Sequence, residues 1–150
     1  MASLESARLI ADGVENDKRS ELALGALLAG YAIDTAGLGL HHVMSQSIVR
    51  VMRIPHAETN AAILPRVIEA LLPRAPEEMA ALAEALGTTP DGLPGRIEAL
   101  AGGRRTLDEI GADSAKLDEA LDTIQARGEL KSVPGMPDRG ELERIVEIAW

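Results

Sequence analysis

The chain contains no cysteine and no phenylalanine, and its whole aromatic content is Tyr31 and Trp150. Without cysteine there is no disulfide framework, no thiolate zinc site and no thiol nucleophile. That absence fits a reducing compartment, and a cytoplasmic location is expected. Without aromatic faces there is no platform on which the bases of a single-stranded nucleic acid can stack. Positive charge is also scarce: 15 Lys and Arg against 24 Asp and Glu leave a formal net charge of -9. Phosphate backbones repel such a surface. The only basic cluster along the sequence is Arg104-Arg105, so no nucleic-acid partner is expected. No apolar run approaches the ~20 residues that span a bilayer. The N-terminal stretch MASLESARLIADGVENDKR carries early acids and lacks the basic-then-apolar order of a signal peptide. No membrane association is expected.

What remains is Leu, Ile, Val, Ala and Met, recurring at helical spacing with no stretch that alternates as a strand would. The 150 residues suit one domain, 1–150, and are enough for a core without covalent staples. The expected fold is all-α, a multi-helix domain with helices over about 3–13, 18–36, 39–53, 56–72, 77–87, 93–103, 115–127 and 138–150. Asp17 or Ser20 is placed to cap the second helix. That helix, LALGALLAGYAI, is apolar around its circumference, which predicts burial on several sides. Gly25 and Gly30 would let a neighbour approach it. The third helix should stop before Pro55. Pro65 falls inside the fourth helix and predicts a bend. Thr106 and Glu109 have capping-box spacing, Asp113 or Ser114 starts the next helix, and Asp138 with Glu141 starts the last. ELKSVPGMP, 129–137, reads as an extended linker.

All three histidines fall in GLGLHHVMSQSIVRVMRIPHAETNAAILP, 37–65. His42 and Gln46 are four apart and share a helix face. His56 follows 14 residues after His42, across the Ile54-Pro55 break, so two consecutive helices meeting at a corner can bring the imidazoles together. Imidazole suits zinc, iron, copper or nickel. His41 points roughly 100° away from His42 around the helix and is expected to pack or face solvent. Glu58 fits a first-turn charge better than a ligand, and Asp34 fits a polar group near a helix end. From spacing alone, three clustered histidines suit core or helix-end roles more readily than a metal site. Nor does the rest of the chain encode other chemistry: there is no G-x-S-x-G and no P-loop, and GLGL at 37–40 lacks the third glycine and preceding strand of a dinucleotide fingerprint.

The segments GLGLHHVMSQ, IPHAETNAAILP and APEEMAALAEALG shift that balance, because they resemble the C-terminal domain of the iron-containing alcohol dehydrogenases, most of all the maleylacetate reductase branch. The likeness is continuous over 25–87, with a weaker echo in RTLDEIGADSAKLDEALD and ELERIVEIAW. It implies a dehydroquinate synthase-like arrangement. An N-terminal α/β domain binds NAD(P), and a helical C-terminal domain supplies a divalent metal site for iron or zinc from an aspartate and three histidines. The last two of those histidines correspond to His42 and His56. The aspartate and first histidine would precede residue 1, so these residues resemble half of a metal site with no nucleotide domain.

Two departures stand out. The family usually carries a further histidine, lining the substrate site, where this chain has Gln46; an amide hydrogen-bonds but cannot relay a proton. Small residues are usual at the positions of Val49 and Arg50, near the cofactor. The leading expectation is the metal-site half of an NAD(P)-dependent, maleylacetate reductase-like oxidoreductase, inactive alone. In the complete reaction the metal would act as a Lewis acid while hydride passes to or from the nicotinamide. The alternatives are a non-catalytic helical binding or oligomerisation module and one subunit of a split dehydrogenase with a separate nucleotide-binding subunit. A homo-oligomer, most simply a dimer through the second or third helix, is also expected.

Overall fold

A computed structural model describes residues 2–150, with side chains from Ser3 onward. The described residues form eight α-helices joined by short 3-10 turns, with no strand: α1 (Ala2–Glu15), α2 (Arg19–Ala36), α3 (Leu40–Met52), α4 (His56–Leu71), α5 (Pro76–Ala85), α6 (Leu93–Leu100), α7 (Leu117–Gln125) and α8 (Arg139–Ile148). The expected all-α class holds. No single helix among the described residues is long and apolar enough to cross a membrane.

Helix α4 organises the interior because it serves two cores. Ala62, Ile63 and Val67 face a larger core with Val43, Met44 and Ile48 of α3, Leu121 and Ile124 of α7 and Leu142 and Val146 of α8. Ile68 turns to a smaller core with Ala11, Met79, Ala83, Leu86 and Leu93 from α1, α5 and α6. These spacings of three and four are those of helix faces. Arg66 pairs with Glu98 of α6, and Arg74, just past α4, pairs with Glu141 of α8. The half-buried pairs fix how the neighbours sit more than they add stability.

Local side-chain signals set three of the boundaries. Asp138 accepts a hydrogen bond from the Glu141 N–H at 2.8 Å and starts α8. Asp113 accepts from the Ala115 N–H at 3.0 Å. Thr106 and Glu109 exchange the two bonds of a capping box at 3.1 and 3.3 Å. The turn they open ends at Gly111, and its Leu107 N–H reaches the Ala149 carbonyl at 2.8 Å, tying the turn to the C-terminus.

Several expectations need correction. Neither Asp17 nor Ser20 caps α2; Lys18 holds that position without a side-chain bond, and Asp17 adopts the left-handed region, φ 51°. Residues 128–132 form a 3-10 turn, with Leu130, Val133 and Pro137 buried, so the stretch read as a linker is part of the core. The largest departure is α2, whose only buried residue is Gly25, while Leu24, Leu27 and Tyr31 are 47%, 70% and 64% exposed. Its apolar circumference reflects an uncovered face, not burial on several sides.

Helix α2 packs mainly on α1, and glycine makes that contact close. A Cβ on Gly25 would lie 2.8 Å from Ile10 Cγ1 and 3.2 Å from the Ser6 carbonyl oxygen, and one on Gly13 would lie 2.6 Å from Leu22 Cγ. The Ser6 hydroxyl donates to the Gly25 carbonyl at 2.8 Å across the buried seam. Gly30, expected to do the same, meets nothing within 4 Å. The two glycines should therefore respond oppositely to alanine. Gly25→Ala is expected to destabilise the chain by about 1–3 kcal/mol through overpacking. Gly30→Ala should stabilise it by about 1 kcal/mol, because exposed helical glycine only costs entropy. Urea unfolding of the two variants checks both signs.

Candidate functional site

The site is built on the two helices that meet at Pro55. Helix α3 turns Leu40, Val43, Met44, Ile48 and Met52 into the core, all buried. That leaves His42, Gln46 and Arg50, spaced by four, as a second stripe on the same helix. The helix ends at Arg53, which adopts left-handed geometry, φ 59° and ψ 39°, as its N–H bonds the Val49 carbonyl. Pro55 then opens α4: its carbonyl accepts from the Thr59 N–H at 3.1 Å and from the Thr59 hydroxyl at 2.7 Å. His56 is therefore the first residue of α4, with Asn60 one turn behind it on the same face.

His41 lies at the junction. Its ring meets the His42 ring edge-to-face, with centroids 5.1 Å apart and an interplanar angle of 69°. Burial lowers its pKa from 6.5 to about 4, helped by the neighbouring His42 and His56; the nearby Asn60 backbone opposes the shift only in part. The imidazole is thus neutral at neutral pH. Its Nε2 is buried without a hydrogen-bond partner, as are Ser45 Oγ, one turn along α3, and Asn60 Oδ1 on α4. Of the two places expected for His41, packed or facing solvent, the structure shows the packed one, with its ring against that of His42.

Other candidates are placed differently. Asp34 and Glu58 are exposed. Gln46 does not offer a free oxygen: both Nη atoms of Arg127 donate to its Oε1 at 3.4 Å, while Arg127 is held by Glu129 at 2.6 Å. That contact links residues 81 apart in the chain, so no local pattern could have announced it. Among the described residues no three His, Cys, Asp or Glu side chains converge as a metal site would require. His42 and His56 therefore have no third side chain of these types converging with them among the described residues.

The comparisons with known proteins bear on this arrangement of helices. Residues 3–148 match the description "Fe-containing alcohol dehydrogenase family, C-terminal". The chain belongs to the iron-containing alcohol dehydrogenase family. Maleylacetate reductase 1 of Cupriavidus pinatubonensis is 33% identical over 107 residues, which are 69% of this chain and 30% of that protein. Maleylacetate reductase 1 of Rhodococcus opacus is 30% identical over 134 residues, 88% of this chain and 37% of that one. An iron-containing alcohol dehydrogenase from Corynebacterium glutamicum superposes with a TM-score of 0.82 at 30% identity, over 97% of this chain and 43% of its own. A 1,3-propanediol oxidoreductase gives a TM-score of 0.90 at 25% identity, over 99% and 44%. The chain thus spans less than half the length of these members of the iron-containing alcohol dehydrogenase family.

The buried His41 generates a test of pH dependence. An imidazole in the unfolded chain titrates near 6.5, and His41 in the folded chain near 4. Between those values the unfolded state binds a proton that the folded state refuses. Stability from this residue is therefore full above about pH 6.5 and declines as pH falls toward about 4, by up to roughly 3 kcal/mol. His41→Leu should remove that part of the decline, while acid effects from carboxylates persist in both proteins. Urea midpoints measured from neutral pH down to about 4 compare the two, and parallel curves would contradict a buried neutral His41.

Proposed function

We propose that these residues form the metal-site half of an NAD(P)-dependent, maleylacetate reductase-like oxidoreductase, and that they do not turn over substrate unaided. The observation that carries the reading is the family match over nearly the whole chain; the motifs GLGLHHVMSQ and IPHAETNAAILP supply His42 and His56 as the candidate ligands. The described residues are all helical, so a nucleotide-binding domain would have to come from further sequence of the same polypeptide or from a separate subunit. Gln46 is paired with Arg127 and no third ligand converges among the described residues, so a site on His42 and His56 would lack most of the chelate advantage of a three- or four-ligand site.

The expected outcome is that the purified 150-residue chain consumes no NAD(P)H with maleylacetate or simple aldehydes and loses iron or zinc to a chelator. Steady turnover, or one metal per chain retained against chelator and lost on His56→Ala, would overturn this reading.

A second reading, a helical binding or oligomerisation module, is favoured by one specific observation. Leu24, Leu27 and Tyr31 recur at spacings of three and four along α2, and all three face outward. An apolar stripe of this kind marks an interface, and we take its partner to be a second copy of the chain related by a two-fold axis. Light scattering should show a dimer that Leu27→Glu with Tyr31→Glu converts to a monomer. A monomer at every concentration of the parent chain would refute it.

A further inference from the structure

The end of α3 and the length of α7 enclose a pocket of about 610 Å³, lined by Arg50, Arg53, Lys116, Glu119, Thr123 and Arg127 among others. Read along the sequence these cations are scattered over 78 positions from Arg50 to Arg127, and no basic cluster beyond Arg104-Arg105 was expected. Folding brings them to one place. Seven of the 15 basic side chains are held in ion pairs among the described residues. Arg50, Arg53 and Lys116 belong to the other eight and converge here. Arg127 is largely neutralised by Glu129 and turned toward Gln46. Glu119 is the one carboxylate in the wall. Thr123 spends its hydroxyl proton on the Glu119 carbonyl at 2.8 Å. In a chain of net charge -9, three uncompensated cations facing one cavity need an explanation.

Complementing the α3 dipole accounts for Arg50 and, in part, Arg53. It does not account for Lys116, which sits at the start of α7, the end of a helix that repels a cation. Nor does it explain an arginine at φ 59°, where glycine would carry no steric cost. Two guanidinium groups and an ammonium suit oxyanions, the guanidinium as a two-pronged donor and the ammonium as a point charge.

We propose that this pocket binds a small molecule bearing two or more negative charges on carboxylate or phosphate oxygens, held by Arg50, Arg53 and Lys116. The proposal does not depend on how His42 and His56 are used. Its position is nonetheless suggestive in geometry: Arg50 lies eight residues along the same stripe from His42, about 12 Å up the helix axis. An anion fixed at Arg50 would extend along the face that carries Gln46.

The test is calorimetric titration of the 150-residue chain with sodium phosphate and, separately, sodium succinate, at ionic strength held constant with sodium chloride. Saturable binding is expected for at least one. Phosphate alone would assign the site to phosphate esters, succinate alone to dicarboxylates, and both to the shared oxyanion chemistry. The double variant Arg50→Gln, Lys116→Gln should weaken binding about tenfold or more, since each removes a charge-assisted donor. Glu119→Gln should tighten binding, which guards against a variant that merely fails to fold. No saturable binding of either anion, or affinities unchanged in the double variant and in Glu119→Gln, would overturn the proposal.

Discussion

Everything of chemical interest in this chain hangs on the break at Ile54-Pro55. A proline cannot donate to the preceding helix and its ring disfavours helical geometry in the residue before it. The backbone therefore leaves α3 through the left-handed Arg53, buries Ile54 and restarts at Pro55, whose carbonyl takes the first bond of α4. That single reversal puts His56 and Asn60 on a helix that returns beside His41, and it aims Arg50 and Arg53 toward α7. Because α4 then contributes to both hydrophobic cores, the corner is fixed from both sides. Interior side chains packed at crystal-like density leave little room for such a corner to shift.

The lack of aromatic residues shapes how these helices meet. With no Phe and one exposed Tyr, the core is filled by Leu, Ile, Val, Ala and Met. Close approach is then achieved with small residues, as where α1 and α2 touch through Gly13, Gly25 and the Ser6 hydroxyl. The polar seam between α3 and α4 is the exception. His41, Ser45 and Asn60 place buried nitrogen and oxygen atoms there that no protein group satisfies. Such atoms cost more than an apolar replacement would, and the seam holds three of them among helices otherwise lined with aliphatic carbon, a fourth being Arg74 Nη1 just past α4.

What the sequence made legible was local. The capping box at Thr106-Glu109, the Asp113 and Asp138 caps and the stop before Pro55 each depend on a few adjacent residues, and each is realised. Helix existence followed from apolar spacing, and the family from a handful of contiguous motifs. Burial did not follow. The apolar circumference of α2 carries the same pattern whether a neighbour covers it or not, because periodicity reports only that a face avoids water. The 128–137 stretch was misread for a related reason: Pro and Gly mark turns, but a turn can still bury Leu130 and Val133 under the helices beside it. Contacts between residues far apart in the chain, such as Arg127 with Gln46, leave no trace in spacing at all.

Two of the departures from the family pattern, Gln46 and Arg50, fall on one stripe of α3. A histidine at position 46 would be a neutral or titrating ring; the amide here is instead tied through its oxygen to Arg127. A small residue at position 50 would leave the helix end bare; the arginine here joins Arg53 and Lys116 around a pocket. Gln46 and Arg50 share the stripe that begins at His42, and Val49 lies off it; Arg50 alone adds a charge. The outward stripe of α3 thus runs beside guanidinium groups, Arg127 at Gln46 and Arg53 near Arg50, while the core positions behind it keep the aliphatic residues on which the fold relies.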